Sequence, residues 1–115
     1  MMNDVNKINN KELVLKCFKL LIENCAIDNE DITNLLDEDY CKNQFCRTKF
    51  PVLIEIKNGD EVNQQIKDNK GRQRYYKEMI TIEGRNFLVS NFWYKSNSSH
   101  EDSITPFLKW VISKI

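Results

Sequence analysis

Two apolar and aromatic runs joined by only two residues place the strongest constraint on how this chain folds. The runs are "RYYKEMITI", residues 74–82, and "RNFLVSNFW", residues 85–93, and Glu83 and Gly84 lie between them. Gly84 supplies the positive φ angle that a tight turn needs. The pattern therefore predicts a β-hairpin with a two-residue loop.

The loop length also fixes the register of the hairpin. The predicted partners are Ile82 with Arg85, Ile80 with Phe87 and Glu78 with Val89 on one side, and Met79 with Leu88 and Tyr75 with Phe92 on the other. Because both faces carry large apolar pairs, both faces need a cover. The segment "SITPFLKWVISKI" predicts a C-terminal helix that packs across the hairpin, with Thr105 as its cap. Its apolar stripe is formed by Leu108, Val111, Ile112 and Ile115.

Three closely spaced helices are predicted before the hairpin. The first spans about residues 10–26, and the second and third are short and follow the capping residues Asp28 and Asp37. The side chains that face inward are Val14, Cys17, Phe18, Leu21, Ile22 and Cys25, then Ile32, Leu35 and Leu36, then Tyr40, Cys41 and Phe45. Pro51 opposes continuation of the third helix, so residues 52–57 are predicted to form a strand, with a further helical turn as the alternative.

The remaining segments complete a one-domain organisation. Residues 1–9 are predicted to be a disordered N-terminus, and residues 10–115 to form a single domain. Within that domain, the polar residues 58–73 are predicted to form a mobile loop without packed structure. The sequence thus predicts an α+β fold of the winged helix-turn-helix type, with three N-terminal helices, a β-hairpin, a possible third strand and a C-terminal helix.

Charge and composition limit the classes of function. The chain has 17 Lys and Arg and 17 Asp and Glu, so any nucleic-acid binding must come from local clusters of basic residues. No apolar run reaches the roughly 20 residues of a membrane span, and the N-terminus lacks the pattern of a secretory signal. We expect a cytoplasmic protein with reduced, partly buried cysteines and no membrane partner.

The element order is that of a winged helix-turn-helix, in which the third helix enters the major groove of DNA and the hairpin touches the backbone. The basic clusters agree with this order, since bases outnumber acids from Lys42 to Lys49 and again from Lys67 to Arg85. The predicted contacts to the groove are Lys42, Asn43, Arg47 and Lys49, and those to phosphates are Lys70, Arg72, Arg74, Lys77 and Arg85. Each of these residues taken singly is more typical of an ordinary solvated surface than of a DNA contact.

Two other binding modes stay open. Tyr75, Tyr76, Phe92, Trp93 and Tyr94 have the composition of a stacking platform for single-stranded nucleic acid, although such residues more often form a core. The acidic stretch from Glu30 to Asp39 and the zero net charge suit a protein-binding module that docks through acidic helices or through the aromatic hairpin. A phage or mobile-element inhibitor of a host defence enzyme is one such module.

Signals for a metal site or for catalysis are weak. Cys41 and Cys46 lack the spacing of structural zinc sites, and Cys17, Cys25 and His100 are poorly placed as further ligands. The chain has no phosphate-binding glycine loop and no nucleophile elbow, and Glu78 is the one carboxylate expected to be partly buried, with Arg85 or Tyr76 as its partner. We therefore expect neither a metal nor another cofactor, and no enzymatic activity.

Five segments carry a resemblance to a known group of domains. These are "YCKNQF", "FPVL", "GRQRYYKE", "IEGRNFLVSNFWY" and "PFLKWVISKI". Over about residues 12–115 the chain resembles a small winged-helix-like domain at the C-terminal end of bacterial restriction-type and other defence-associated proteins. The resemblance implies a bacterial DNA-binding or partner-positioning role, as a regulator or as the targeting part of a restriction-modification or phage-defence protein, and it carries over no catalytic residue.

Overall fold

The computed structural model describes residues 10–45, 50–91, 93 and 103–115. In this part of the chain it contains five helices and one three-stranded antiparallel sheet, so the predicted α+β class is confirmed. The helices are α1 (Asn10–Glu23), α2 (Asn29–Leu35), α3 (Glu38–Phe45), α4 (Val62–Gln65) and α5 (Ile104–Lys114). The strands are β1 (Leu53–Ile56), β2 (Ile80–Ile82) and β3 (Arg85–Val89). Residues 1–9, predicted to be disordered, lie outside the described residues.

Helix α1 ends earlier than predicted because the chain leaves it through a left-handed residue. Cys25 has a φ of 52°, and the N–H groups of Cys25 and Ala26 donate to the carbonyls of Ile22 and Leu21 at 3.1 and 2.9 Å. This pair of bonds is the Schellman arrangement that satisfies the last carbonyls of a helix. Cys25 is consequently exposed, and the prediction that it is partly buried on the helix was wrong.

Helices α2 and α3 begin at the predicted caps. The Asp28 carboxylate accepts from the backbone N–H of Asp31 at 2.9 Å, and the Asp31 carboxylate accepts from the N–H of Asp28 at 3.1 Å. Such a reciprocal pair satisfies two of the free donors at a helix start. Asp37 likewise accepts from the N–H of Asp39 at 2.9 Å. Local hydrogen bonding therefore determines where these short helices begin.

The sheet has the strand order β1-β3-β2, and the turn of its hairpin follows the prediction. Ile82 pairs with Arg85 and Ile80 pairs with Phe87. Glu83 and Gly84 both have positive φ angles, 54° and 74°, which a tight two-residue turn between twisted strands requires. The predicted third strand is also confirmed, because β1 pairs antiparallel with β3.

Farther from the turn the predicted register is wrong. Tyr75 pairs with Ser90, and the N–H of Tyr76 donates to the carbonyl of Val89 at 2.8 Å. Three residues, 77–79, thus lie opposite Leu88 alone, where a regular ladder would have one residue. Glu78 therefore does not face Val89. Phe92, the predicted partner of Tyr75, lies outside the described residues. We call residues 77–79 the bulge, because extra residues on one strand leave the ladder in this way.

One face of the sheet is covered by helices. Phe87 and Val89 of β3 point into a large cluster with α1, α3 and α5, in which the Phe107 ring lies 4.8 Å from Trp93 and 5.8 Å from Phe45. Helix α5 belongs to this cluster, so the prediction that it covers the second face was wrong. Its buried side chains are Ile104, Phe107, Trp110 and Val111. Ile112 and Ile115, expected in the apolar stripe, are exposed, and the helix follows Ser103 instead of Thr105.

The other face is covered by the segment that was predicted to be an unpacked loop. Because successive strand residues point to opposite faces, Leu88 lies on this side, where it forms a small cluster with Ile66 and Tyr75. Ile66 follows α4 directly and is 2% exposed. Residues 58–73 are therefore structured as a cover, with a bridge between Lys67 and Gln73. One apolar side chain was enough to anchor a segment whose composition is otherwise polar.

Candidate nucleic-acid interface

A single carboxylate organises the turn that carries three of the predicted phosphate contacts. Asp68 Oδ1 accepts from the backbone N–H groups of Lys70 and Arg72, both at 2.9 Å. Its Oδ2 accepts from the Nε atoms of Arg72 and Arg74 at 3.2 and 3.0 Å. The backbone bond from Arg72, together with the other donors, holds the pKa of Asp68 well below its usual range. We call residues 68–74 the basic turn.

The basic turn lies against the connection between α3 and β1. The guanidinium carbon of Arg74 is 4.9 Å from the centre of the Phe50 ring, which is a cation–π distance. The Tyr75 hydroxyl donates to the Pro51 carbonyl at 2.9 Å, and the Val52 N–H donates to Cys41 Sγ of α3 at 3.3 Å. The basic turn and α3 are therefore both tied to the connection at residues 50–52.

The environment of Tyr75 includes side chains of α3. Burial raises the pKa of Tyr75, and the nearby Cys41 and Glu38 of α3 raise it further. The first turns of α3 thus lie within electrostatic reach of the tyrosine that follows the basic turn.

The exposed side of α3 presents Lys42 and Asn43. Lys42 Nζ lies 2.9 Å from a carboxylate oxygen of Glu38, one helical turn earlier, and this hydrogen bond raises the pKa of Lys42. Both side chains of the pair are half exposed, so the ion pair is a weak one in water. Arg47 and Lys49, the other predicted groove contacts, lie outside the described residues.

Arg85 and Lys77 do not join this surface. Arg85 lies beside the hairpin turn and donates two hydrogen bonds to Glu55, at 2.8 and 3.1 Å, which lower the pKa of Glu55. Since β1 runs from Pro51 toward this end of β3, Arg85 is at the opposite end of the sheet from the basic turn. Lys77 lies in the bulge, where its charge contributes to lowering the pKa of Glu78.

Glu78 differs from its prediction in both burial and partner. Its side chain is 51% exposed and lies 2.6 Å from Lys11 Nζ, whose hydrogen bond is the main cause of the lowered pKa of Glu78. Neither Arg85 nor Tyr76 binds it. Lys11 lowers the pKa of Glu78 more than burial raises it, so Glu78 lacks the raised pKa of a catalytic acid.

The aromatic residues of the hairpin are used for packing. Trp93 is 5% exposed and donates from Nε1 to the Ser90 carbonyl at 2.6 Å, and Tyr75 is 6% exposed. Burial raises the pKa of Tyr76 to about 12, and Lys11 lies 5.8 Å from the centre of its ring. Phe92 and Tyr94 lie outside the described residues. The described aromatic rings therefore do not form an open platform for bases.

The acidic second helix is partly occupied by internal contacts. Asp28 and Asp31 form the cap of α2, and Lys114 Nζ of α5 lies 2.5 Å from Asp31 Oδ1. Glu30 on the same helix is exposed. Asp31, one acid of the stretch from Glu30 to Asp39, is thus paired with a lysine within the molecule, which reduces the support for an acidic docking face.

Within residues 10–45, 50–91, 93 and 103–115, no three His, Cys, Asp or Glu side chains come close enough together to share a metal ion. Cys41 is buried, which raises its pKa to about 11, and burial also raises the pKa of Cys17. Cys46 and His100 lie outside the described residues. Of the helices described, none has the length and apolar character needed to cross a bilayer.

A second surface feature was not predicted from the sequence. A groove of about 410 Å³ runs between α1 and β2, and we call it the α1/β2 groove. It is lined by Leu15, Lys19, Ile22, Glu23, Glu78, Ile80 and Thr81. The sequence feature that could have indicated this groove is the pair Leu15 and Ile22. These apolar residues are two helical turns apart on α1 and lie to one side of its core stripe.

Comparisons with protein-family models, with curated proteins and with solved structures found no match to this chain.

Proposed function

We propose that this chain is a non-enzymatic domain that binds double-stranded DNA through α3 and the basic turn. One observation carries the proposal: Arg74 contacts Phe50, Tyr75 donates to Pro51 and Val52 donates to Cys41 of α3, so the basic turn and the helix that exposes Lys42 and Asn43 are both tied to the connection at residues 50–52. A local basic surface of this kind is what a chain without net charge needs in order to attract phosphates.

The basic turn is suited to phosphate contact because it is already ordered. Asp68 fixes the backbone of the turn, while Lys70 is exposed and 59% of the Arg72 side chain is accessible. A preorganised side chain loses less conformational entropy when it binds. The Asp68 carboxylate is also an internal competitor for the guanidinium groups, so the expected affinity for DNA is moderate.

The proposal assigns the finer fold as a winged-helix variant. Helix α3 contacts the major groove, and the basic turn, in place of the hairpin turn at Glu83 and Gly84, contacts the sugar-phosphate backbone. Because the first turn of α3 carries Glu38 and Asp39, the contact is made by the C-terminal half of the helix, with Asn43 able to pair with a base edge. Arg47 and Lys49, which follow α3 in the sequence, belong to the same proposed surface.

The first test is fluorescence anisotropy with a labelled random-sequence duplex and with the matching single strand, at low and at physiological salt. We expect duplex binding that weakens steeply with salt, because each phosphate contact releases condensed counterions. Absence of duplex binding at low salt would overturn the proposal, and so would a clear preference for the single strand.

Charge-reversal variants then locate the surface. Lys42→Glu and Arg72→Glu each should raise the dissociation constant about tenfold or more and lower the salt slope by about one unit. Lys16→Glu is the matched control, since it makes the same change of net charge on the exposed side of α1, which is part of neither α3 nor the basic turn. If all three variants weaken binding equally, only net charge matters and α3 is not the contact.

A further inference from the structure

The α1/β2 groove is an apolar surface at a free edge of the sheet. In the described sheet β2 is an outer strand, because the order is β1-β3-β2. The walls of the groove are formed by Leu15 and Ile22 from α1 and by Ile80 from β2, all of them only partly buried. Met79, next to Ile80, is 48% exposed. An outer strand of the described sheet beside apolar walls is the kind of surface on which another chain adds a strand.

The alternation of hydrogen bonds shows which backbone groups face outward. Ile82 and Arg85 flank the two-residue turn, so they form a hydrogen-bonded pair, and Thr81 with Asn86 forms the next, non-hydrogen-bonded pair. The N–H and C=O of Thr81 therefore point away from β3. The C=O of Met79 also points to the open edge, because it lies trans, across the peptide bond, to the Ile80 N–H, which faces β3.

The charges at the rim of the groove are self-complementary. Lys19 and Glu23 lie one helical turn apart on α1 beside the apolar walls, and neither forms an ion pair with another described residue. The Glu78 charge is neutralised by Lys11. The whole chain has no net charge, a condition that favours association of identical molecules. A strongly charged partner would find no matching field here.

We propose that the α1/β2 groove is the interface between two copies of this chain, related by a two-fold axis that passes close to Ile80. Around such an axis Thr81 of one copy pairs with Met79 of the other, and the outward-facing backbone groups form a short antiparallel ladder. Ile80 packs on Ile80 of the second copy, between the apolar walls. The axis reverses the order of residues along the rim, so Lys19 of one copy faces Glu23 of the other.

The size of β2 sets the expected strength of the dimer. The strand has three residues, so the ladder is short and most of the buried area must come from α1. Specific interfaces generally bury about 1,000 Å² or more in total. We therefore expect a dimer that dissociates on dilution. The inference does not depend on DNA binding, because the groove lies apart from α3 and the basic turn.

The test is sedimentation equilibrium of the full chain from micromolar to submillimolar concentration. The wild type should pass from monomer to dimer, and Thr81→Pro should raise the dissociation constant at least about tenfold. Because the Thr81 N–H faces outward, proline removes no backbone hydrogen bond of the hairpin, and it loses only the bond from the Thr81 hydroxyl to Asn86. Thr81→Val is the control: it also loses the bond from the Thr81 hydroxyl to Asn86, but it keeps the outward N–H and should dimerise as the wild type does.

A charge exchange on α1 provides a second test that leaves β2 untouched. Lys19→Glu and Glu23→Lys each place like charges across the axis and should weaken the dimer, whereas the double variant restores the opposite charges and the affinity. Circular dichroism confirms that each variant keeps its helix. Recovery in the double variant would not occur if the helix faced solvent.

Hydrogen exchange gives the residue-level readout. The amide of Thr81 should exchange more slowly at high protein concentration, while that of Lys57, exposed after β1, should not change. A chain that stays monomeric over the whole range overturns the proposal. So does a dimer that is insensitive both to Thr81→Pro and to the charge reversals, because its interface would then lie elsewhere.

Discussion

The two faces of the sheet are covered in different ways. The helix-covered face buries four phenylalanines completely, Phe18, Phe45, Phe87 and Phe107. The face covered by residues 58–74 buries a small cluster around Ile66, Tyr75 and Leu88, and the rest of its cover is held by polar contacts at Asp68. Burial of apolar area therefore stabilises the first face, and a few hydrogen bonds and ion pairs stabilise the second.

This difference shows how one small domain combines a large apolar core with a small cover that is held mainly by polar contacts. The free energy gained from burial scales with apolar area, so the large cluster provides most of the stability. The small cluster needs only enough burial to hold the basic turn in place. If this division is correct, substitutions on the two faces should differ in how much they lower the free energy of unfolding. They should also differ in how many amides exchange faster as a result.

The largest effect is expected for Phe45→Ala in the large cluster. The Phe45 ring lies 5.8 Å from the rings of both Phe107 and Trp110, and its removal leaves a cavity among three helices and the sheet. We expect a loss of about 3–5 kcal/mol in the free energy of unfolding, measured by urea denaturation. Phe45→Leu, which keeps much of the volume, should cost less. Equal losses for the two variants would mean that Phe45 does not fill a tight space.

Ile66→Ala on the small face should cost about 2 kcal/mol, near the lower end for buried aliphatic residues, because a shallow cluster can collapse onto the cavity. The effect should also be local. The Arg74 amide, which donates to the Ile66 carbonyl at 2.6 Å, should exchange faster, while amides of α1 keep their protection. If exchange increases equally in α1, the two faces unfold together and the proposed division fails. Val62→Ala, at a more exposed position, is the control.

Tyr75→Phe removes the hydrogen bond to the Pro51 carbonyl without changing the ring. We expect a loss of about 1 kcal/mol, since a buried carbonyl acceptor loses its donor. Thermal unfolding measures this change. Tyr76→Phe is a suitable comparison, because Tyr76 is half buried and packs against the large cluster. If Tyr75→Phe leaves the thermal stability unchanged, the hydrogen bond contributes nothing and packing alone joins the basic turn to the connection after α3.

The smallest effect on global stability is expected from titration of Asp68. Its folded pKa is lowered, so its contribution is fully present above the unfolded value of about 4 and is lost as the pH falls through the folded pKa. Amide chemical shifts of Lys70 and Arg72, followed in acid, should report this loss while the core stays folded. In Asp68→Asn the same shifts should lack that transition. Persistence of the transition in the variant would assign it to another carboxylate.

The elements that depend on local chemistry were predicted well from the sequence. Asp28 and Asp37 cap helices through bonds to residues two or three positions away, and Glu83-Gly84 sets the hairpin through its own backbone angles. The information for such features lies within a few residues. For the same reason the pairing of Ile82 with Arg85 was correct, while pairs beyond the bulge were not.

The features that were missed depend on distant partners. The cover formed around Ile66 is determined by Leu88 and Tyr75, and the exposure of Glu78 by Lys11, a residue far away in the chain. The two isoleucines at the end of α5 were assigned to the core because the helical pattern alone could not show which apolar stripe faces α1 and α3. For the candidate DNA contacts, the sequence showed which residues are basic. It did not show that Arg72 and Arg74 pair with Asp68 and that Arg85 pairs with Glu55.

The bulge at residues 77–79 also determines which changes in length the hairpin tolerates. Strand side chains alternate between faces with a period of two, so two extra residues leave Tyr75 and Tyr76 on the faces that a regular ladder would give them. Deleting two residues from the bulge would therefore keep both tyrosines correctly oriented. Deleting one would exchange their faces and turn the hydroxyl of Tyr75 away from Pro51. The bulge thus tolerates insertion or deletion of an even number of residues. An odd number would exchange the faces of Tyr75 and Tyr76 and disturb both covers of the sheet.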